Sequence, residues 1–129
     1  MNLAYVDSSA LVKLVLDEAD AGAMRRWYIE AERIACSIIG MVETRRAVTR
    51  KVDAPDHLNT ILRTLITLEF DDVLAATASR LTPAALRTLD AVHLATALAI
   101  RSDLDAFVTY DDRLAEAARA VGLPVVRPA

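Results

Sequence analysis

Short apolar runs alternate with longer amphipathic stretches along the whole chain. Residues 3–6, 34–38, 66–70 and 106–109 form short, largely apolar runs that predict strands, and a last strand is predicted to start at Pro124. Such runs are too short for a helix core, and they are apolar on both faces. This pattern is typical of strands that are covered on both sides in a parallel sheet.

The segments between these runs follow the helical period. Leu11, Leu14 and Val15 recur at helical spacing after Ser8 and Ser9, so the first of these segments is predicted to be a helix. By the same pattern, further helices are predicted over residues 20–32, 39–51, 55–65, 71–81, 89–101 and 111–121, and a short helix is predicted to start at the Thr82-Pro83 pair.

The alternation of strand and helix continues from end to end, without an internal repeat. It predicts an α/β fold, a three-layer α/β/α sandwich around a short, mostly parallel sheet. The 129 residues are expected to form one domain, residues 1–129. The hydrophobic fraction is 54%, of which little is aromatic, so we expect a core of Ala, Leu, Val and Ile.

Charge and cysteine content indicate which binding partners and which cellular compartment to expect. The formal charge of −3 predicts no general affinity for nucleic acid, although a local basic patch could supply it. The single cysteine, Cys36, cannot form an internal disulfide, and we expect it to be a buried strand thiol. The start of the chain lacks a basic leader, and no apolar run reaches the length of a membrane span. A cytoplasmic protein is therefore expected, without a membrane partner.

Four acidic residues occupy related places in the predicted fold. Asp7 follows the first strand and Asp111 follows the fourth, whereas Asp90 begins the long helix. Glu43 lies about one turn into the helix after the second strand. Because ligands of open parallel sheets bind beyond the carboxyl ends of the strands, these four carboxylates could converge at one edge.

Each acid also has a purely structural interpretation. An aspartate at a helix start often only caps the helix, which applies to Asp7, Asp90 and Asp111. Glu43 could instead pair with Arg46 on the same helix. The four together favour a metal site, because clustered carboxylates remain ionised only when a cation or strong donors compensate their charge. Oxygen donors suit magnesium or manganese, and the few histidines and Cys36 lack the spacing of a zinc site.

Four segments carry a resemblance to a known family. Residues 5–13, 37–47, 89–97 and 107–114 contain Asp7, Glu43, Asp90 and Asp111 in that order. The chain resembles PIN domains, and most closely the VapC-type ribonuclease toxins of prokaryotic toxin–antitoxin pairs. The order and spacing of the motifs extend over residues 3–126. Asp111 is followed directly by Asp112. Register with the family pattern makes Asp111 the motif acid.

The resemblance implies a reaction and its cofactor. It implies hydrolysis of RNA phosphodiester bonds, with 5′-phosphate and 3′-hydroxyl products, by a Mg²⁺- or Mn²⁺-dependent endonuclease. An ion held by Asp7, Asp90 and Glu43 would lower the pKa of a water molecule and neutralise charge at the phosphate. A second ion could be held through Asp7 and Asp111, and the sequence leaves open whether one ion or two are bound.

Several neighbouring residues are candidates for supporting roles. Ser8 could cap the first helix and contact the metal site, and Thr109 could orient Asp111 or a water. Asp112 is open to three interpretations: a helix residue, a ligand acting through water, or no role. His93 is expected to pack and hydrogen-bond internally rather than to act as a base.

RNA binding requires a positive surface, for which α-helical residues after Glu43 are the best candidate. Arg45, Arg46, Arg50 and Lys51 could contact backbone phosphates, although a solvated helix face is the alternative. Lys13 could also contact a phosphate, against the alternative of an ordinary surface lysine.

The resemblance also implies a cognate antitoxin protein and a homodimer, for which helices 20–32 and 55–65 could supply surfaces. A PIN-fold module that binds partners but cleaves weakly is the main alternative function, and the intact set of acids argues against it. A phosphatase of related topology would need a second aspartate where Ser9 stands. The RNA target and the antitoxin are not identified by the sequence.

Overall fold

Five parallel strands form the centre of the protein, which is described over residues 2–129 by a computed structural model. The strands are β1 (Leu3–Val6), β2 (Arg33–Ser37), β3 (Ile66–Leu68), β4 (Ala106–Val108) and β5 (Val125–Val126). Their order in the sheet is β3-β2-β1-β4-β5. In this register Tyr5 at the centre lies between Ala35 of β2 and Phe107 of β4.

The helices fill the connections between successive strands. They are α1 (Ser8–Leu11), α2 (Ala21–Glu30), α3 (Ile38–Thr49), α4 (Pro55–Arg63), α5 (Asp72–Arg80), α6 (Thr88–Ala99) and α7 (Asp112–Ala120). A 3-10 turn extends α1 over Val12–Leu14, and another follows α6 over Arg101–Asp103. No helix within residues 2–129 has the length and apolar character needed to cross a membrane.

Alternation of side chains along the strands divides the core into two layers. Val6 of β1 belongs to a cluster with residues of α1 to α4, among them Leu11 and Met24. Tyr5, one position earlier, belongs to a second cluster that includes Leu94 of α6 and Leu114 of α7. The sheet therefore has helices on both faces, which confirms the predicted three-layer α/β/α sandwich.

The strand order places a crevice between β1 and β4. From β1 the chain builds outwards through β2 and β3, and it then returns through α5 and α6 to form β4 on the other side of β1. The connections after β1 and β4 thus depart to opposite faces of the sheet. Such a switch point opens a crevice at the carboxyl ends of the two strands. Asp7 and Asp111 follow these two ends.

The prediction of a short helix that starts at Thr82-Pro83 is wrong. Residues 82–87 form bends and a single turn, in which the Leu86 amide donates to the Pro83 carbonyl at 2.9 Å. Only Leu86 in this stretch packs against the core, so the segment lacks the apolar face that holds short helices in proteins. Other predicted boundaries differ from those observed by at most two residues, for example in α6 and β3.

Candidate active site

The carboxyl ends of β1 and β4 open onto a cavity of about 260 Å³. The residues that line it are Asp7, Ser8, Ser9, Glu43, Arg87, Thr88, Leu89, Asp90, His93 and Asp111. All four acids singled out in the sequence are in this set. The fold therefore brings together carboxylates from four separate segments of the chain.

Asp7 is fixed at the base of the cavity by three hydrogen bonds. The Ser9 hydroxyl donates to Oδ1 at 2.7 Å, the Ala10 amide donates to the same oxygen at 3.0 Å, and the Thr109 hydroxyl donates to Oδ2 at 2.6 Å. Asp7 thus caps α1 and also faces the cavity. Its side chain is almost fully buried, and burial raises its pKa although His93 and these donors act in the opposite direction.

A buried chain of hydrogen bonds orients Glu43. The Ser37 amide donates to the Tyr5 hydroxyl at 3.2 Å, so the single Tyr5 proton is available for His93 Nδ1 at 2.7 Å. His93 Nδ1 is then the acceptor, and Nε2–H donates to Glu43 Oε1 at 3.1 Å. This sequence of donors selects one tautomer of His93.

The contacts of Glu43 also set its charge. Burial alone would raise its pKa, but hydrogen bonds from His93 and Ser8, with the positive charge of Arg87, hold the pKa below its ordinary value. Glu43 is therefore a carboxylate at neutral pH. Its side chain contacts His93, not the Arg46 that the sequence offered as a helical partner.

Asp90 and Asp111 share one guanidinium group. Arg87 Nε donates to Asp90 Oδ2 at 3.3 Å, and Arg87 Nη2 donates to Asp111 Oδ2 at 2.7 Å. Burial and the negative charge of Asp111 raise the pKa of Asp90, although Arg87 acts to lower it. Asp111 also caps α7 through the amides of Arg113 and Leu114.

The four acids line one cavity without converging on one point. Over residues 2–129, no three His, Cys, Asp or Glu side chains are grouped closely enough to hold a metal ion as they stand. Asp7 is held by hydroxyls and an amide, Glu43 by His93, and Asp90 and Asp111 by Arg87. Each carboxylate thus has its own protein partner in this structure.

The residues expected in supporting roles have different positions. Ser8 lines the cavity as the first residue of α1, and Asp7 takes the capping position. The Thr109 hydroxyl donates to Asp7 and accepts from the Asp111 amide at 3.0 Å, so it links both acids. Asp112 is largely exposed, pairs with Arg127 and does not line the cavity.

The predicted RNA-binding residues fall into two groups. Arg45, Arg46 and Arg50 are exposed on α3 and line a separate surface hollow, with Lys51 exposed just beyond the helix. Lys13 is buried, and its amine donates to the Ala19 carbonyl at 2.7 Å and lies over the ring of Tyr110. The structure does not bring Lys13 to the cavity.

Three residues of the site were missed by reasoning from the sequence: Arg87, Tyr5 and Ser9. Arg87 stands three positions before Asp90, the spacing at which oppositely charged side chains meet on a helix, and this signal could have found it. Ser9 stands two positions after Asp7, a spacing common for local hydroxyl–carboxylate bonds. Tyr5 gave no local signal, since its partner His93 is 88 positions away.

Comparison with known proteins extends this description. The PIN domain family model matches residues 4–120. Ribonuclease VapC47 and Ribonuclease VapC46 of Mycobacterium tuberculosis are 37% and 38% identical to the chain, with 96% of each chain covered in both comparisons.

Solved structures share the fold at lower sequence identity. The sarcin-ricin loop cleaving toxin VapC20 of Mycobacterium tuberculosis superposes with a TM-score of 0.77 at 17% identity, covering 97% of this chain and 99% of that one. VapBC2 of Rickettsia felis, bound to a promoter DNA fragment, gives 0.71 at 14% identity, covering 98% and 99%. With its matching sequence, its strand order and its four cavity acids, the chain belongs to the PIN-domain family and is of the VapC type.

Proposed function

We propose that this protein is a Mg²⁺- or Mn²⁺-dependent endoribonuclease, the toxin of a toxin–antitoxin pair. It hydrolyses RNA phosphodiester bonds and leaves 5′-phosphate and 3′-hydroxyl ends. The observation that carries the proposal is the cavity itself, where Asp7, Glu43, Asp90 and Asp111 meet at the switch point of the sheet. Relatives at 37–38% identity over nearly the full length bear the name Ribonuclease VapC, which supports this chemistry.

The donor set fits a hard divalent ion. The acidic side chains offer only oxygen ligands, which Mg²⁺ and Mn²⁺ prefer. Burial raises the pKa of both Asp7 and Asp90, so a divalent ion beside them would favour their ionised forms. Asp7, Glu43 and Asp90 would hold one ion, and Asp111 would complete the site. When bound, the ion supplies an acidified water and positive charge at the phosphate.

The protein groups around the acids have separate tasks in this reaction. Thr109 and Ser9 keep the oxygens of Asp7 in place, and His93 holds Oε1 of Glu43. Such pre-set groups need no rearrangement when charge develops on the phosphate. The nucleophilic water forms a bond to phosphorus as the bond to the 3′-oxygen breaks, and the leaving oxygen takes up a proton.

The basic residues of α3 offer a path for the RNA backbone. Arg46 and Arg50 follow Glu43 by three and seven positions, so all three lie on one side of the helix. At the rise of an α-helix, Arg50 is about 10 Å from Glu43 along the axis. We assign phosphate contacts to Arg45, Arg46, Arg50 and Lys51, and none to Lys13, whose amine has protein partners.

An antitoxin is the proposed protein partner. Exposed Leu89 lines the cavity with the acids, and exposed Val42 precedes Glu43 in the chain, so a segment with apolar and basic side chains would cover the site. VapBC2 of Rickettsia felis, an antitoxin complex that shares this fold, supports such a partner. A homodimer and a cytoplasmic location complete the proposal. Both follow from the VapC type rather than from a contact within the chain.

The test is cleavage of a broad pool of cellular RNA by the purified, antitoxin-free protein. Wild type with Mg²⁺ or Mn²⁺ is compared with EDTA, with Asp7→Asn and with Asp53→Asn, a matched change in an exposed loop. We expect metal-dependent cleavage that Asp7→Asn lowers by at least about 100-fold and that Asp53→Asn leaves unchanged. Absence of cleavage by folded wild type with metal would favour a binding module.

A further inference from the structure

The cavity contains a positive charge that the acid motifs do not account for. Arg87 lines the cavity together with the four acids. Among the residues that line the cavity, Arg87 is the one with a permanent positive charge. Arg87 stands at the N-terminal boundary of α6 and makes no capping bond with its side chain. Its position is therefore not explained by the helix.

The bond pattern of Arg87 leaves part of its guanidinium unused. Nε contacts Asp90 and Nη2 contacts Asp111, whereas Nη1 has no partner among the hydrogen bonds of residues 2–129. The side chain is 61% exposed, and the bond to Asp90 is long at 3.3 Å. Asp90 and Asp111 are only 11% and 22% exposed, so Arg87 leaves them readily when another cation takes over the charge of these carboxylates.

A phosphodiester that enters this cavity meets four carboxylates, and it needs a donor with the opposite charge. The Arg46–Arg50 side of α3 starts about one helical turn from Glu43. The Lys13 amine is held by Ala19 and Glu18. Arg87 alone of these is already at the acids. Its planar fork of N–H donors matches two phosphate oxygens at once, which a lysine ammonium cannot do.

We infer that Arg87 is a catalytic residue: its guanidinium, which rests on Asp90 and Asp111 when these are ionised and free of metal, moves to the scissile phosphate once their charge is neutralised. There it donates to the non-bridging oxygens and stabilises the charge that develops as water attacks and the 3′-oxygen leaves. Arg87 transfers no proton and forms no covalent bond in this role. The inference rests on the proposed ribonuclease function.

Two measurements test it with Arg87→Ala and Arg87→Lys, beside Arg80→Ala as a matched loss of an exposed arginine at the end of α5. In single-turnover RNA cleavage, we expect Arg87→Ala to lower the rate constant by roughly 100-fold, Arg87→Lys to restore part of it, and Arg80→Ala to match wild type. In Mn²⁺ titration without RNA, we expect Arg87→Ala to bind the ion more tightly than wild type, because a competing cation has left Asp90 and Asp111.

The combination of results separates the possibilities. Slower cleavage with tighter Mn²⁺ binding supports a phosphate contact, since a residue that only props up the acids would weaken Mn²⁺ binding when removed. Cleavage by Arg87→Ala at the wild-type rate, or weaker Mn²⁺ binding, overturns the inference while the Asp7→Asn result still upholds the nuclease. If wild type itself does not cleave RNA, the proposed function fails and this inference fails with it.

Discussion

The two halves of the acidic cavity are held in different ways. Asp7 and Glu43 accept hydrogen bonds from Thr109 and His93, which are buried, and from Ser9, which is half-buried. Asp90 and Asp111 are instead held by the charged and largely exposed side chain of Arg87. The first pair belongs to the packing of the protein, whereas the second pair depends on a partner that can be exchanged.

This difference indicates how a site can be both pre-set and adaptable. The hydroxyl and amide donors keep Asp7 in place without cancelling its charge, so this acid keeps its demand for a cation. A mobile cation covers the remaining acids until another cation takes its place. Changes in the buried half should therefore act mainly on folding stability. Changes in the exposed half should act mainly on ion and substrate binding.

The largest effect on stability is expected from Tyr5→Phe. The change removes the hydroxyl that accepts from the Ser37 amide and donates to His93, and both partners remain buried. We expect the free energy of unfolding to fall by about 2 kcal/mol, because buried groups that lose their partner keep their desolvation penalty. Chemical denaturation measures this effect.

Tyr28→Phe is the matched control, since the Tyr28 hydroxyl bonds to Thr64 at the surface. It should change the free energy of unfolding by less than about 0.5 kcal/mol. Nitrogen-15 NMR of His93 adds a second measurement, with the proton on Nε2 expected in wild type. Equal losses in the two variants, or a proton on Nδ1 in wild type, would contradict the chain of donors described here.

Which contacts of the site can be predicted from the sequence depends on how far apart the contacting residues are along the chain. The four acids follow from topology, because the order of strands and helices places Asp7 and Asp111 at the carboxyl ends of β1 and β4. The period of the apolar residues was enough for the fold class and for most helices. The helix-start signal of Thr82-Pro83 failed, because one partly buried leucine does not hold residues 82–87 in a helix.

Contacts between distant segments could not be foreseen in the same way. Tyr5 and His93 are 88 positions apart, and their bond depends on how closely β1 packs against α6. Lys13 has the appearance of a surface lysine in sequence, yet the ring of Tyr110 covers it from across the chain. Arg87 carried a local signal in its spacing from Asp90, but its second partner, Asp111, comes from another element.

Gly40→Ala is expected to have the next largest effect, again on the buried half. A Cβ at this position would lie 2.5 Å from His93 Cε1 and 2.8 Å from Cys36 Sγ, so the imidazole has to shift. We expect the free energy of unfolding to fall by about 1–2 kcal/mol after the gain in helix propensity is included. The movement of His93 should also disturb its bond to Glu43.

Gly22→Ala is the control, because it adds the same methyl group at a glycine of another helix, α2. A Cβ on Gly22 would meet only the Arg26 side chain, at 3.6 Å. This variant should be as stable as wild type or more stable by about 0.5–1 kcal/mol. If Gly40→Ala gave the same gain in thermal or chemical denaturation, the tight contact between α3 and His93 would be absent in solution.

Asp7→Asn should have a smaller effect and the opposite sign. Burial raises the pKa of Asp7 above its ordinary 3.8, so ionisation of this group disfavours the folded state. Stability linked to the protonated form is present at acid pH and is lost as the pH rises through the raised pKa. The neutral amide avoids this loss, and we expect metal-free Asp7→Asn to be more stable than wild type at pH 7.

The pH dependence distinguishes this cause from a simple change in packing. The advantage of Asp7→Asn should shrink as the pH falls through the raised pKa of Asp7 towards 3.8, because folded wild type takes up this proton before the unfolded chain does. Added Mg²⁺ should raise the melting temperature of wild type more than that of the variant, because ligands stabilise the state they bind. An advantage that is independent of pH between 4 and 7 would rule out the charge of Asp7 as its source.

The smallest effect on stability is expected in the exposed half, for Arg87→Ala. At low ionic strength this variant should melt slightly below wild type, because Asp90 and Asp111 lose the cation between them. Mg²⁺ should remove the difference, since an ion then supplies the charge that the guanidinium supplied. Arg80→Ala, which has no part in the cavity, should show no such dependence on Mg²⁺. A deficit in Arg87→Ala that persists with saturating Mg²⁺ would mean that Arg87 is part of the packing, and the two halves of the site would then be held alike.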